Sequence, residues 1–236
     1  MNILAVGANP DDIEFLCAGT LAVYANRGDT VFISYLTTGD KGSSDVPPEE
    51  MAAIRKEEAE SSARIIGATL LPLGIPDGEV EVSLSLRRRI VEIIRKTKPD
   101  VVITHYKNDY MSDHNCTSRL VFDAAFWSMP KHFEGDPDSS PCLSLCPPLL
   151  YMDTLGGIGF QPQEYVDITD VMDTKIEMLS QHKSQIGYMN DRDGLDCLDY
   201  AKTMAKFRGY QCGVAYAEGF VPQRVYPSLS PKRVLP

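Results

Sequence analysis

Two adjacent carboxylates, Asp11 and Asp12, follow the apolar run Asn2–Gly7 in the segment ANPDDIE. In an open α/β sheet ligands bind beyond the carboxyl ends of the strands, so these side chains are expected at a site. Two close carboxylates repel each other unless a cation or a proton intervenes. A metal would explain the pair, because one carboxylate could ligate it and the other could handle the proton of a water on it. An Asx-type turn before a helix N-terminus explains the same residues without chemistry.

A second group of polar side chains follows the fourth predicted strand, namely His105, Asn108, Asp109, Asp113 and His114. Histidine is the commonest neutral metal ligand, and a neighbouring carboxylate can orient its ring. A polar loop with two histidines is also commonly solvent-exposed. However, both groups follow strands of one predicted parallel sheet, so they can converge although about a hundred residues separate them along the chain.

The elements that must position these residues alternate between strand and helix patterns in the first half of the chain. This alternation predicts an α/β fold, with a mostly parallel sheet and helices on both faces. Apolar runs predict strands at 2–7, 30–36, 69–73, 100–105, 149–154 and 165–168. Helical spacing and Gly or Pro signals predict helices from 13 to a stop at Gly28 and at 48–67, 84–97, 170–182 and 198–210.

Three further segments carry weaker structural predictions. The apolar stripe of Phe122, Phe126 and Trp127 has helical spacing and predicts packing in the core. The proline-rich segment 131–148 predicts a surface excursion, and the segment 187–194 predicts a loop. The proline-spaced tail after Phe220 is expected to pack on the surface or on a neighbouring subunit.

Composition limits the class of protein. The chain has 236 residues, of which 43% are hydrophobic, and this is enough for one α/β domain over residues 1–236. A net charge of -10 argues against nucleic acid or an anionic membrane surface as the main partner. A small neutral or cationic molecule fits better.

The chain carries no pattern of a targeting or membrane segment. Met1 is followed at once by an apolar strand pattern, and no run approaches the ~18 apolar residues of a membrane span. The six cysteines form no paired CxxC pattern and are expected to be free thiols. These features predict a cytoplasmic protein without a membrane span.

The segments ANPDDIE at 8–14 and MSDH at 111–114 are similar to AHPDD-x-E and HxDH, the two motifs of the LmbE-like, or PIG-L, family of zinc-dependent de-N-acetylases. Shorter agreements run along most of the chain. They are CAGTLA at 17–22, TTGDKGS at 37–43, RKEEAESSARIIGA at 55–68, PDG at 76–78, VDITDVMDTKIEMLSQHKSQ at 166–185 and YAEGF at 216–220.

This resemblance implies a Rossmann-like fold that hydrolyses the acetamide of an N-acetylated sugar or related amine. It implies that Asp12, His114 and position 9, here Asn9, hold zinc or another divalent cation. Asp11 would be the general base and Asp113 would orient a neighbouring group. Arg55 matches a position near the substrate. His182 ends a family-like helix and is interpreted as a last-turn histidine facing the helix dipole.

Two departures from the family motifs fall on the chemistry itself. Asn9 replaces a ligand histidine, and an amide oxygen is a poorer zinc donor than imidazole, so the site should hold zinc less tightly or accept a harder cation. Met111 replaces the histidine expected to polarise the substrate carbonyl, and methionine donates no hydrogen bond. The nearby replacements at the substrate are His105, Tyr110 and Asn108, and the sequence does not choose among them.

Two functions are therefore kept. The first is a metal-dependent amide hydrolase, a deacetylase acting on a small N-acetylated sugar or amine, in which Asp11 activates water. The second is a catalytically weak or inactive sugar-binding protein that uses the same pocket, as the residues at positions 9 and 111 suggest. A dinucleotide oxidoreductase is disfavoured because the first strand leads into GANPDD rather than GxGxxG. Either function is compatible with a homo-oligomer.

Overall fold

The computed structural model of the protein describes residues 1–133, 140–225 and 234–236, with a seven-stranded sheet at their centre. The strands are β1 (Asn2–Gly7), β2 (Thr30–Tyr35), β3 (Thr69–Leu70), β4 (Val101–Thr104), β5 (Leu149–Met152), β6 (Glu164–Asp167) and β7 (Ala217–Pro222). Their order is β3-β2-β1-β4-β5-β7-β6. The first five strands pair in parallel, whereas β7 runs antiparallel to both β5 and β6. The predicted α/β class and mostly parallel sheet are confirmed.

Eight α-helices surround this sheet in the described residues. They are α1 (Asp12–Leu16), α2 (Ala18–Asn26), α3 (Pro48–Ile65), α4 (Leu84–Thr97), α5 (Ser112–Trp127), α6 (Met172–Leu179), α7 (Lys183–Asp193) and α8 (Cys197–Cys212). One apolar cluster joins the sheet to α1, α2, α3, α6 and α8, and a second joins it to α4 and α5. The helices therefore cover both faces, as predicted.

The strand β1 shows why the sheet needs cover on both faces. Ile3 and Ala5 belong to one apolar cluster, while Leu4 and Val6 belong to the other, and all four are buried. A strand buried on both faces is a continuous apolar run, since alternate side chains enter opposite cores. The same pattern made β1 predictable to the residue.

The register of β1 against β4 brings two functional segments together. Val6 lies opposite Thr104, so both strands end at nearly the same level of the sheet. The loops that follow, from Ala8 and from His105, therefore begin side by side. The expected convergence of two segments far apart in sequence has this simple origin.

Several predicted boundaries differ from the structure. The expected single helix from residue 13 is two helices, because Cys17 leaves the helical conformation with a φ of -148°. The strand predicted at 69–73 has only the two residues of β3. The predicted loop at 187–194 lies almost entirely within α7. β7 includes residues beyond Phe220 that were expected to be a tail.

The aromatic stripe on α5 is only partly in the core. Phe122 is half-buried and packs against the second apolar cluster, as predicted. Phe126 is 51% exposed and Trp127 is 37% exposed, so the prediction that these two pack inside is wrong, because Ala124 and Ala125 form the buried face at this end of the helix. Parts of two other predictions, at 134–139 in the proline-rich segment and at 226–233 in the tail, lie outside the described residues. Among the residues that are described, no helix is long and apolar enough to cross a membrane.

Candidate metal and acid-base site

The turn after β1 places the two adjacent carboxylates in different environments. Asp11 adopts a φ of 115°, in a region that residues with a Cβ rarely enter. Asp12 begins α1, and its backbone N–H donates to the carbonyl of Asn9 at 3.2 Å. Strained backbone of this kind persists only where the surroundings hold it, and such residues cluster at functional sites.

Asp12, His105 and His114 form a buried cluster. The Nε2 atom of His105 lies 3.1 Å from Oδ2 of Asp12, and Nε2 of His114 lies 3.2 Å from Oδ1 of the same carboxylate. The two imidazole rings are stacked, with centroids 3.9 Å apart. One potential ligand atom from each residue falls within 4.8 Å of the others, so the three side chains form a possible metal site.

The electrostatics of this cluster favour a positive charge. Although burial opposes its ionisation, the two histidine rings hold the pKa of Asp12 well below its ordinary value. Burial also disfavours a charged His114, yet Asp12 and Asp109 raise its pKa to about 10. Burial and the neighbouring His114 lower the pKa of His105. The negative charge of Asp12 and Asp109 that attracts a proton to His114 also attracts a metal cation.

Two unsatisfied atoms test whether a cation fits this cluster. Nε2 of His114 is buried and makes no hydrogen bond of acceptable geometry to any described residue, in spite of its proximity to Asp12. Oδ1 of Asn9 is likewise buried and unpartnered within the described chain. Buried polar atoms without a partner are costly, and a cation bound in the cluster would replace the proton on Nε2 of His114 and satisfy that atom. The donor set of one carboxylate and two imidazoles therefore fits a divalent metal.

Asp11 lies beside this cluster without belonging to it. The pKa of Asp11 is raised to about 7, because burial and the neighbouring Asp12 outweigh the lowering by Arg55. Nη2 of Arg55 lies 3.4 Å from Oδ1 of Asp11 and also donates to the carbonyl of Pro10. A carboxyl group that titrates near neutral pH can accept and release a proton, as a general base requires.

Glu14 and His182 form a buried pair beneath Asp11. Nε2 of His182 lies 3.2 Å from Oε1 of Glu14, and both side chains are fully buried. The hydroxyls of Tyr35 and Ser62 also donate to this carboxylate, at 2.7 Å and 2.6 Å. The interpretation of His182 as the last residue of a helix is wrong, because it precedes α7 and pairs with a carboxylate rather than with a helix dipole.

The structure places the other predicted site residues around the same edge of the sheet. Nδ2 of Asn9 donates to Oδ1 of Asp77 at 3.4 Å, while its backbone N–H donates to Asp12 at 2.6 Å. Met111 precedes α5 and is half-buried, and Tyr110 is 68% exposed at the rim. Oδ2 of Asp113 accepts a hydrogen bond from the backbone N–H of Gly78 at 2.7 Å. Their functional roles stay predictions.

Asp109 is the residue whose position the sequence did not reveal. Its Oδ2 atom lies 3.0 Å from Nδ1 of His114, so it has the orienting position that was expected of Asp113 toward a neighbouring group. The only signal in the sequence is its presence in the polar segment after β4. Spacing alone did not distinguish Asp109 from Asp113, because the loop conformation decides which carboxylate faces the ring.

Several known proteins resemble this chain in sequence. The family model PIG-L, described as GlcNAc-PI de-N-acetylase, matches residues 4–125, more than half of the chain. Diacetylchitobiose deacetylase of Thermococcus kodakarensis is 29% identical over 93% of this chain and 83% of its own length. The 4-oxalmesaconate hydratase of Pseudomonas putida is 24% identical over 96% of this chain and 90% of its own length.

A solved structure extends the agreement to three dimensions. N,N'-diacetylchitobiose deacetylase from Pyrococcus horikoshii superposes with a TM-score of 0.82 at 28% identity, covering 96% of this chain and 86% of that one. These named deacetylases agree with the expected enzyme class, a hydrolase of the N-deacetylase type. The match over residues 4–125 includes both motif segments and every residue of the Asp12, His105 and His114 cluster, and it shows that the chain belongs to the PIG-L, or LmbE-like, family.

Proposed function

We propose that the protein is a metal-dependent hydrolase that removes the acetyl group from a small N-acetylated sugar or related amine. The observation that carries this proposal is the pairing of a proton acceptor with a cation site. Asp11 has a pKa near neutrality, and it immediately precedes Asp12 of the buried cluster with His105 and His114. Relatives named as deacetylases support the substrate class.

The ligands of the proposed centre are Asp12 and His114, with Asn9 and His105 as the two candidates for the third position. Asn9 offers a buried, unpartnered Oδ1. His105 offers Nε2, but that atom also faces the backbone N–H of Ala8 at 2.9 Å, which competes for its lone pair. Zinc suits a carboxylate with imidazole ligands, and an amide oxygen in the set extends the choice to harder divalent cations.

A bound divalent ion would supply a Lewis acid that polarises the substrate carbonyl and lowers the pKa of water. Asp11 would then take the proton of the attacking water on a carboxylate oxygen and deliver it to the amine nitrogen as the amide bond breaks. Arg55 opposes the rise in the pKa of Asp11, so a useful fraction of the base is ionised near neutral pH. Burial of Asp11 and Asp12 keeps bulk water from screening these charges.

The substrate carbonyl needs a hydrogen-bond donor that Met111 does not provide. Removing one such donor typically costs about 10²–10³ in rate. Tyr110 lies at the exposed rim and His105 in the buried cluster, and each carries a donor within the same edge of the sheet. The proposal therefore predicts a slower enzyme than one with a histidine at position 111, rather than an inactive one.

A second candidate function, a sugar-binding protein with little or no catalysis, is favoured by the residues at positions 9 and 111. The same pocket would bind the sugar, and the missing donor would leave hydrolysis slow. Retention of Asp11 with a shifted pKa argues against this alternative, because sugar binding does not require a base.

The deciding experiment measures acetate release and metal content together. The chain is purified without chelator, its metals are quantified, and acetate release from N-acetylglucosamine and N,N'-diacetylchitobiose is followed with Zn²⁺, Mn²⁺, Co²⁺ or Mg²⁺. Metal-dependent release that Asp11→Asn abolishes supports the hydrolase. Sugar binding by calorimetry without release under any ion supports the second candidate. Hydration of 4-oxalmesaconate without acetate release would overturn both.

The third ligand is assigned with two variants. If Asn9 is a ligand, Asn9→His tightens Zn²⁺ binding, because imidazole replaces a weaker amide donor. If His105 is the ligand, His105→Ala weakens Zn²⁺ binding and Asn9→His changes it little. Competition with a chromophoric chelator measures both affinities without substrate.

A further inference from the structure

The side chain of Asp109 is fully buried, and it touches a proposed ligand rather than the position of the substrate. Its Oδ2 atom lies 3.0 Å from Nδ1 of His114. We propose that Asp109 is a positioning residue that holds His114 with its proton on Nδ1 and its Nε2 lone pair directed at the cation site. This inference rests on the proposed function for the presence of the cation, but its tests need no substrate.

The loop around Asp109 is built to hold this carboxylate. Its Oδ1 atom accepts the backbone N–H of Met111 at 3.1 Å. Asn115, one turn into α5, accepts the backbone N–H of Asp109 at 2.9 Å and donates to the carbonyls of Asp109 and Met111 at 2.6 Å and 3.0 Å. Asn115 thus closes the loop with three hydrogen bonds, and the carboxylate has little freedom to turn away from the ring.

The contact decides which nitrogen of His114 is available. A neutral imidazole carries one N–H and one lone pair, and the acceptor beside one nitrogen fixes the tautomer. With Nδ1–H donated to Asp109, Nε2 faces Oδ1 of Asp12 at 3.2 Å without a hydrogen bond of acceptable geometry. An unprotonated Nε2 beside a carboxylate oxygen is an arrangement that a shared cation stabilises.

The other imidazole of the cluster, that of His105, has no carboxylate behind it within the described part of the chain. Nδ1 of His105 is buried and has no hydrogen-bond partner among the described residues. Asp113, which the family motif assigns to orienting a neighbour, accepts instead from the backbone of Gly78. In this chain Asp109 is therefore the carboxylate behind the ring, and His114 is the better oriented of the two imidazoles.

The charge of the pair also suits a divalent ion. Asp12 and Asp109 contact opposite nitrogens of the His114 ring, so two carboxylates flank one imidazole. Burial strengthens the field of both, because little water screens them. Outer-shell carboxylates of this kind increase the basicity of the ligand as well as fixing its orientation.

The test compares Asp109→Ala and Asp109→Asn with the wild type, using Zn²⁺ alone as the probe. Chelator competition gives the dissociation constant, and we expect about 10- to 100-fold weaker binding in Asp109→Ala. Asp109→Asn keeps an acceptor for Nδ1–H and should lose less. The matched control is Asp123→Asn on α5, a carboxylate that pairs with Arg87 and Arg119 outside the site and should leave the affinity unchanged.

A spectroscopic measurement separates orientation from a general effect on folding. NMR of the Zn²⁺-loaded protein reports the Nδ1–H of His114, and Asp109→Ala should lose the downfield proton resonance that a hydrogen bond to a carboxylate produces. Its thermal unfolding should stay cooperative. Zn²⁺ affinity within about twofold of wild type in Asp109→Ala, or an unchanged Nδ1–H resonance of His114, would overturn the proposal. If Asp109→Ala weakens Zn²⁺ binding as expected but the wild type releases no acetate, only the proposed function is overturned.

Discussion

The guanidinium of Arg55 lies 3.4 Å from Oδ1 of Asp11, and both side chains are buried. Arg55 thus opposes the burial that raises the pKa of Asp11 to about 7. Gly39 and Gly42 make room for this arrangement, because a Cβ on Gly39 would lie 2.7 Å from Nε of Arg55, and one on Gly42 would lie 2.7 Å from Gln185. The loop after β2 therefore helps to fix the position of the Arg55 guanidinium, which lowers the pKa of Asp11.

Replacing Arg55 by Met should move the pH profile of the proposed hydrolysis to higher pH. Without the Arg55 guanidinium the pKa of Asp11 rises further, so a smaller fraction of Asp11 is ionised at neutral pH. The ascending limb of the kcat/KM profile moves to higher pH, and a shift of one pH unit lowers kcat/KM at a given pH on that limb about tenfold. The measurement is kcat/KM for acetate release from pH 5 to 9.

Arg55→Lys and Arg119→Met complete that experiment. Lysine keeps a positive charge and should shift the profile less than methionine. Arg119 is exposed on α5 and should give the wild-type profile. A lower but unshifted profile in Arg55→Met would mean that Arg55 binds substrate rather than setting the pKa of Asp11.

The Glu14 and His182 pair should make stability depend on pH. The pKa of Glu14 is lowered, because His182 and the hydroxyls of Ser62 and Tyr35 outweigh the effect of burial. The pKa of His182 is raised, because the carboxylate of Glu14 outweighs the burial of the ring. A group with a raised folded pKa contributes stability below its unfolded pKa and loses it as pH rises through the folded value. The His182 contribution is therefore full below about pH 6.5 and declines above it.

His182→Gln tests this dependence through the free energy of urea unfolding at several pH values. Breaking a buried pair costs about 3–5 kcal/mol, so the variant should be destabilised by that order below pH 6.5. The difference from wild type should shrink as pH rises. Lys56→Gln, which removes an exposed partner of Glu60, is the control and should stay within about 1 kcal/mol. A difference independent of pH would show that His182 is neutral in the fold.

Two glycines in helices give a matched pair for the packing of α8. A Cβ on Gly209 would lie 2.7 Å from the carbonyl oxygens of Val214 and Ala215, which are backbone atoms that cannot easily yield. Gly209→Ala should therefore destabilise by about 1–3 kcal/mol. Gly187 lies within α7 with nothing within 4 Å of its added Cβ, so Gly187→Ala should stabilise by roughly 0.5–1 kcal/mol. Thermal unfolding measures both, and equal effects would contradict this packing.

The sequence predicted best those elements whose buried residues recur with a regular period. β1 and α4 match their predicted ranges because strong apolar patterns end at clear signals. α7 was missed because none of its residues is fully buried and only a short apolar contact, at Ile186 and Met189, packs against the core. β7 was missed because its partners, β5 and β6, are distant in sequence and its segment contains Gly219 and Pro222.

The site also has features that the sequence predicts and features that it does not. The convergence of Asp12 and His114 follows from two parallel strands ending side by side, which the alternation of elements predicts. The orientation of Asp109 toward His114 depends on three hydrogen bonds that Asn115 makes with the loop, one accepted and two donated, and such contacts leave no periodic pattern in the sequence. The pairing of His182 with Glu14 depends on where α6 ends, and helix boundaries are set by local geometry that propensities resolve poorly.

Introducing a histidine at position 111 should accelerate the proposed reaction. Oδ1 of Asp113 is buried and has no partner among the described residues, so it can accept a hydrogen bond from a new imidazole two residues earlier. The carboxylate of Asp113 would favour the protonated ring, whose other N–H could then donate to the substrate carbonyl. We expect Met111→His to raise kcat/KM by about 10- to 100-fold, less than the full value of a preorganised donor.

Met111→Leu separates the donor from a change of shape. Leucine keeps an apolar side chain of similar volume and should leave kcat/KM near the wild-type value, whereas a gain shared by both variants would reflect packing. If neither variant changes kcat/KM, the carbonyl already has its donor, and His105→Ala and Tyr110→Phe then identify it by which one lowers kcat. Because His105 lies in the cation cluster, its variant is read against Zn²⁺ affinity, so that loss of the ion is not mistaken for loss of a donor.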